Sequence, residues 1–287
     1  MSGASSPWIT VVGSANIDHV ARCERLPRSG ETVTDAVFER IPGGKGANQA
    51  LAAVRLGASV RFVGRIGRDD FALRSLQAEG VDVSGVGRDD GESGIAVILV
   101  AHSGENAIVV APGANRRLTA DEVTRAMAGV AVDAVICQQE IPLEAVAAAF
   151  AAARQAQAGC LCCLNAAPAR GPLRQGLDPD LLVVNGYEYE AAGSYDGVVA
   201  LTLGAEGAVL LDGGREVAHA RPPRVEAVDG TAAGDAFCAA LVFSLLEGRD
   251  RAEALRRACA AGAVAASRAG AQPSLPTASE LEAVLVP

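Results

Sequence analysis

Residues 42–64 read PGGKGANQALAAVRLGASVRFVG. A glycine-rich turn gives way to Asn48–Leu56, a run of helix formers. Gly57 follows as the stop, because glycine readily takes the left-handed conformation with which many helices end. Val60 to Gly64 is then a short β-branched and aromatic run, which predicts a strand. The same alternation extends in both directions. Trp8 to Gly13 reads as a first buried strand, and Phe71 to Gly80 as a helix with its glycine stop. Ala134–Cys137 predicts a strand, Leu143–Gln157 a helix and Cys160–Leu164 a strand. Leu181–Val184, Val198–Leu203 and Ala208–Leu211 predict three more strands. The C-terminal third reads as helices over Ala232–Glu247, Arg251–Ala269 and Ala278–Leu285. Strand and helix in alternation imply an α/β fold with a doubly wound, mostly parallel sheet flanked by helices.

Two stretches break that rhythm, about 18–41 and 93–110. They carry period-two patterns such as Glu31-Thr32-Val33-Thr34 and Ile95 to Val100, joined by the polar turn Ser103-Gly104-Glu105-Asn106. Neither is long enough to fold alone, so together they predict a small antiparallel β lid over the main sheet. Without a linker or repeat, residues 1–287 read as one domain with a lid.

The chain is half hydrophobic but only 3% aromatic, so Ala, Val, Leu and Gly must build the core. A net charge of −9 argues against nucleic acid as a partner. Arg116-Arg117 and Arg256-Arg257 read as solvated faces. No apolar run is long enough to span a bilayer, and the start, Met1 to Pro7, has no export pattern. Seven cysteines, with Cys160, Cys162 and Cys163 in one apolar run and three scattered histidines, predict reduced core residues in a cytoplasmic protein.

In such a sheet, ligands bind beyond the carboxyl ends of the strands. After the first strand come Asn16 and Asp18, which point to one side in extended chain and suit adjacent hydroxyls, or form an ordinary turn. Gly43-Gly44-Lys45-Gly46-Ala47-Asn48 opens a helix, where a ligand can approach backbone N–H groups closely; the spacing is not that of a P-loop. Asp229 to Phe237 places small residues at 232–234 at a helix start, an arrangement suited to charge on a transferring phosphoryl group. Asp235 beside them suits a base for an attacking hydroxyl, or a helix cap.

These runs resemble the signatures of the ribokinase-type (PfkB) carbohydrate kinases. The matching residues are Gly43–Gln49 with Ala52–Ala58, and Asp229–Phe237. Asn16–His19, Gly113–Asn115, Asn165–Ala169 and Gly270–Ser274 match too, in order along the chain. The resemblance implies ATP-dependent phosphorylation of the 5-hydroxymethyl of D-ribose, in a homodimer paired through the lid. Asp235 would be the base, with Ala233 and Gly234 in the anion hole. Asn16, Asp18, Gly44, Lys45, Gly46, Ala47, Asn48 and Glu140 would hold the sugar. Asn185, Thr202, Leu203, Gly204, Ala205, Glu206, Gly207, Gly234 and Cys259 would border the nucleotide. Glu188 would serve Mg²⁺ through water, while Asp229, Thr231, Ala265, Arg268, Gly270 and Ser274 would hold K⁺.

Two departures stand out. Gly230 replaces the family's usual Thr, which loosens the expected cation loop. Tyr189–Gly197 is shorter than the family's helix there. Alternative readings are a kinase for deoxyribose, a nucleoside or a ketose, and a non-catalytic sugar-binding regulator on the same fold.

Overall fold

The computed structural model describes residues 6–103 and 105–286. Most of the expected polar start, Met1 to Pro7, and Gly104 of the expected turn fall outside the described residues.

Thirteen strands are described. In chain order they begin with β1 (Trp8–Val12), β2 (Asn16–Cys23), β3 (Val37–Gly43), β4 (Ser59–Ile66) and β5 (Asp82–Arg88). β6 (Gly94–Ala101), β7 (Asn106–Ala111), β8 (Ala134–Gln138) and β9 (Leu161–Asn165) follow. The last four are β10 (Leu181–Asn185), β11 (Val198–Thr202), β12 (Ala208–Asp212) and β13 (Arg215–Ala220). The helices are α1 (Lys45–Leu56), α2 (Arg74–Ala78), α3 (Ala120–Met127) and α4 (Leu143–Ala156), then α5 (Gly186–Ala192), α6 (Ala233–Leu246), α7 (Arg251–Ala266) and α8 (Ala278–Leu285).

Nine strands form one sheet in the order β13-β12-β11-β10-β9-β8-β1-β4-β5. Every pair from β11 to β5 is parallel, and β12 and β13 extend the sheet antiparallel. Side-chain alternation sorts β1 between two cores. Ile9 and Val11 pack with α1, α6 and α7, while Val12 packs on the other face with α3 and α4. α6 is buried almost all round, from Asp235 to Ser244, which is why its sequence shows no polar face.

The order places β1 between β4, its successor in the main sheet, and β8, reached only after the chain has left and returned. That reversal opens a crevice above the carboxyl ends of β1 and β8, where a doubly wound sheet takes ligands. The second sheet, β3-β2-β6-β7, stands over this crevice. β2 leaves β1 after three residues, and β3 runs straight into α1. Its outer pairs are antiparallel, and its central pair β2–β6 is parallel.

Several expectations need correction. Glu31–Thr34 lies in the irregular connection between β2 and β3; its alternation has no strand to pair with. The helix expected over Phe71–Gly80 is a 3₁₀ turn, Asp70–Leu73, followed by the short α2. The helix expected to reach Ala269 ends at Ala266, where Arg268 and Gly270 turn the chain back. β5, α3 and β13 are present without having been foreseen. Arg257 is not solvated: it is 4% exposed and pairs with Glu282 at 2.7 Å.

Candidate active site

α1 begins at Lys45 because Gly44 turns the chain with φ 92°, a conformation open to glycine at little cost. No side chain on Gly44 caps the helix. Glu140, from the loop after β8, does that work: its Oε2 accepts the Lys45 N–H at 3.1 Å and the Ser14 hydroxyl at 2.5 Å. A carboxylate at a helix N-terminus is favoured by the helix dipole. Ser14 Oγ in turn accepts from Gly46 N–H at 3.3 Å. The loops after β1 and β8 and the start of α1 are thus tied together at the crevice.

β2 is extended from its first residue, so Asn16 and Asp18 share a face, and both are buried. Asn115 donates to Asn16 Oδ1 at 2.7 Å and accepts from Ala15 N–H at 3.0 Å. Its hold commits the oxygen of Asn16 and leaves the Asn16 Nδ2 to donate into the crevice. Beside Asp18, a Cβ added to Gly43 would lie 2.1 Å from Asp18 Oδ2. The Asp18 carboxylate can swing into the cavity, so Gly43→Ala is expected to fold. Losing one well-placed charged hydrogen bond should raise the sugar KM by about tenfold with kcat little changed. Steady-state kinetics of the variant checks this.

α6 opens at Ala232, a residue other than glycine held at φ 62°. Such a conformation is costly for a side-chain-bearing residue and tends to occur where a site needs it. It leaves the Gly234 and Asp235 N–H groups without an acceptor among the described residues. The Ala233 N–H, expected in the anion hole, turns back to Gly230 O at 3.2 Å.

Asp235, in the first turn of α6, is 5% exposed. Its Oδ2 accepts from Asn48 Nδ2 and its Oδ1 from Gln49 Nε2, each at 2.9 Å. Burial pushes its carboxyl pKa up; Lys45 and the two amides oppose that, and Glu140 adds to it, leaving it raised. Burial alone would lower the Lys45 ammonium, but Asp235, Glu140 and Glu188 outweigh it and raise the pKa.

The residues that line one cavity of about 540 Å³ include Asn16, Asp18, Gly44, Lys45, Asn48, Glu140, Asn185, Glu188, Thr202, Gly234 and Asp235. Ala96, Ile108 and Val110 of the second sheet cover it. Gly46 and Ala47 lie buried behind it in the first turn of α1. Leu203 to Glu206 form an exposed turn after β11, closed by buried Gly207. Cys259 is not among the residues that line the cavity; its thiol donates to Ala220 O. Sequence reading gave no role to Ser14, Gln49, Asn115, Gln138 and Asn165; Gln49, Asn115 and Asn165 stood inside motifs already quoted.

Asn185 and Glu188 cap α5 reciprocally: Asn185 N–H donates to Glu188 Oε2 at 2.9 Å and Glu188 N–H to Asn185 Oδ1 at 2.8 Å. Glu188 Oε1 and Asn185 Nδ2 have no hydrogen-bond partner among the described residues, and both residues line the cavity. One free carboxylate oxygen suits Mg²⁺, which keeps most of its water.

Asp229 ties its own loop to the turn after α7. Its Oδ1 accepts from Thr231 N–H and Oγ–H (2.9 and 2.6 Å), and its Oδ2 from Gly270 N–H (2.9 Å). Burial opposes ionisation, but these bonds hold its pKa below the usual carboxylate value. Ala266 O accepts from the Val228 and Asp229 N–H groups at 2.8 and 3.1 Å, so the loop at Asp229 and the end of α7 meet beside one ionised carboxylate. Ser274 is buried, its hydroxyl donating to Ala271 O at 2.7 Å. Among the described residues, no group of three His, Cys, Asp or Glu could hold a metal ion.

The pfkB family carbohydrate kinase profile matches residues 7–278. The ribokinase of Bacillus subtilis (strain 168) is 38% identical over 294 residues, covering 96% of this chain and 99% of that protein. The ribokinase of Haemophilus influenzae is 36% identical over 296 residues, covering 95% and 96%. Among solved structures, the ribokinase of Thermotoga maritima matches with TM-score 0.82 at 31% identity, over 96% of this chain and 98% of that one. The Arabidopsis thaliana ribokinase, solved with ribose and ATP, matches with TM-score 0.83 at 29% identity, over 98% and 99%.

Proposed function

The chain belongs to the pfkB family of carbohydrate kinases, and on that premise we propose that it transfers the terminal phosphoryl group of ATP to the 5-hydroxymethyl of D-ribose. One observation carries the reading. Asp235 stands at the start of α6 with both carboxylate oxygens held by amides, and it lines the same cavity as Asn16, Asp18, Lys45 and Asn48.

The second sheet acts as a lid that excludes water from this cavity. Asn16 and Asp18 hold adjacent sugar hydroxyls, and Lys45, Asn48 and Glu140 complete the cradle. Asp235 takes the proton of the hydroxymethyl as that oxygen attacks the phosphoryl group. The free N–H groups at the start of α6 stabilise the negative charge that passes along it. Thr202 and the turn through Gly207 border the nucleotide. Asn185 borders the nucleotide phosphates, and Glu188 would hold Mg²⁺ through water, an ion that when bound neutralises charge on the phosphate oxygens.

ATP turnover with ribose, deoxyribose, fructose and adenosine tests the assignment. Ribose should give the highest kcat/KM. A better alternative substrate corrects the sugar, and no sugar-stimulated turnover at all leaves a binding protein.

K⁺ would sit between the loop at Asp229 and the turn at Gly270, ordering the start of α6 without touching substrate. Replacing K⁺ by choline in Na⁺-free buffer should therefore lower kcat severalfold. Equal rates in the two buffers remove the cation from the reading.

The outer face of the lid is apolar and exposed: Phe38 is 58%, Val97 47% and Val109 72% accessible. Exposed apolar surface on a sheet invites pairing, and a second copy of the chain is the proposed partner. Val109→Asp should convert a dimer to a monomer in sedimentation; a wild-type monomer overturns the assembly. A cytoplasmic setting fits seven free thiols. Among the described residues, no helix is long and apolar enough to cross a membrane.

A further inference from the structure

Behind Asp235 runs a chain of buried amides that the reaction as described leaves unused. Gln49 Nε2 donates to Asp235 Oδ1 at 2.9 Å, and Gln138 Nε2 donates to Gln49 Oε1 at 2.6 Å. Gln49 and Gln138 are 0% exposed, and neither lines the cavity. We propose that Gln138, at the end of β8, and Gln49, on α1, form a positioning relay that fixes which end of the Gln49 amide meets the general base, and so holds Asp235 ready to accept the sugar's proton.

An ionised carboxylate only accepts hydrogen bonds, whereas a primary amide has one donor end and one acceptor end. Gln49 stabilises the carboxylate only with its nitrogen forward; turned over, its oxygen would face Asp235 Oδ1. The Gln138 donor takes up the Gln49 oxygen and so opposes that turn. In a dry interior an unpaired polar group is costly, which makes the preference strong. The sense of the relay is set at Asp235, whose ionised carboxylate only accepts; at the other end Gln138 Oε1 has no partner among the described residues.

The charged and titratable groups facing Asp235 make such support consequential. Lys45 on α1 favours its ionised form. Glu140 after β8, Asp18 on β2 and burial itself oppose it, and the Cys238 thiol lies on its own helix. With one cation set against two carboxylates and full burial, the amide donors help decide the charge state.

The proposal rests on Asp235 being the base of a sugar kinase. Its test is the single-turnover rate of phosphoryl transfer against pH, for Gln138→Met, Gln49→Met and the double variant. Methionine keeps the length of glutamine and removes the donor. Gln138→Met is expected to lower the rate at neutral pH by about tenfold and to move the acidic limb up by about one unit, since losing a donor to the charged form raises a carboxyl pKa. The sugar KM should stay within about twofold, because ground-state contacts are untouched. In the Gln49→Met background the second substitution should add nothing, as expected for residues acting in series. Should Gln138→Met fail to fold, Gln138→Leu, which also lacks the donor and adds no charge, should move the limb the same way.

A folded Gln138 variant with an unmoved limb and an unchanged rate overturns the relay. So do additive effects of the two methionines. If the wild-type protein shows no sugar-dependent turnover, or Asp235→Asn is active, the reading of the site fails, and the relay fails with it.

Discussion

Asp235→Asn should lower kcat by roughly a thousandfold, within the range usual for a lost general base, while the sugar Kd changes little. The substitution keeps the shape of the side chain and its place at the start of α6. It removes the lone pairs that would take the hydroxymethyl proton. It also puts an amide nitrogen against one of the two donors, Asn48 Nδ2 or Gln49 Nε2, that now meet carboxylate oxygens at 2.9 Å. Thermal unfolding should accompany the kinetics, so that a loss of fold is not read as a loss of base. Calorimetry with the sugar alone separates binding from chemistry. A variant that keeps more than about a tenth of the wild-type rate would show that another group accepts the proton.

Asp18→Ala should have the second-largest effect, and on binding. Hydrogen bonds to a charged group contribute about 1.5–3 kcal/mol each. Losing two sugar hydroxyl contacts should therefore raise the sugar KM by about a hundredfold or more, with kcat at saturating sugar largely kept. The same carboxylate gives binding a pH dependence. Burial, then the charges of Glu140 and Asp235, push the Asp18 pKa up from 3.8 to about 7. In the empty protein Asp18 is therefore half protonated near neutrality. A protonated carboxyl offers the sugar a poorer acceptor, so KM should rise as pH falls below about 7, by up to about tenfold per unit. The folded pKa lies above the unfolded one, so ionising Asp18 costs the empty protein stability as pH rises from about 4 to about 7. Asp18→Asn should flatten the pH profile of KM over that window. A wild-type KM that is level from pH 5 to 8 would show that Asp18 does not carry the binding.

Much of the fold was legible because its signals are local. Gly57 ends α1 and caps it with φ 109°, and the alternating strands and helices set the parallel sheet. The elements overlooked have weak local signals. β5 carries two glycines and mixed polarity, β13 is an exposed edge strand, and α3 is eight residues long. Glu31–Thr34 misled because period-two patterning states only that a strand could form there; a strand also needs a neighbour with free hydrogen-bonding groups. Arg257 misled because a charge next to another arginine reads as surface, and its burial against Glu282 depends on how α8 folds back over α7.

The sequence by itself determined the order of the elements, the class of the fold and the motif residues at strand ends and helix starts. Short-range sterics and hydrophobic periodicity act within a dozen residues, and these features need nothing more distant. Only the tertiary structure decided which of those residues work together. Gln49 and Asp235 are 186 residues apart, and Ser14 and Glu140 126 apart, yet each pair is in hydrogen-bonding contact. The parallel pairing of β2 with β6 and the amide chain from Gln138 are of the same kind. Each depends on which strand settles beside which and on which buried polar groups then find partners, a condition set by the whole molecule at once and written in no single segment of it.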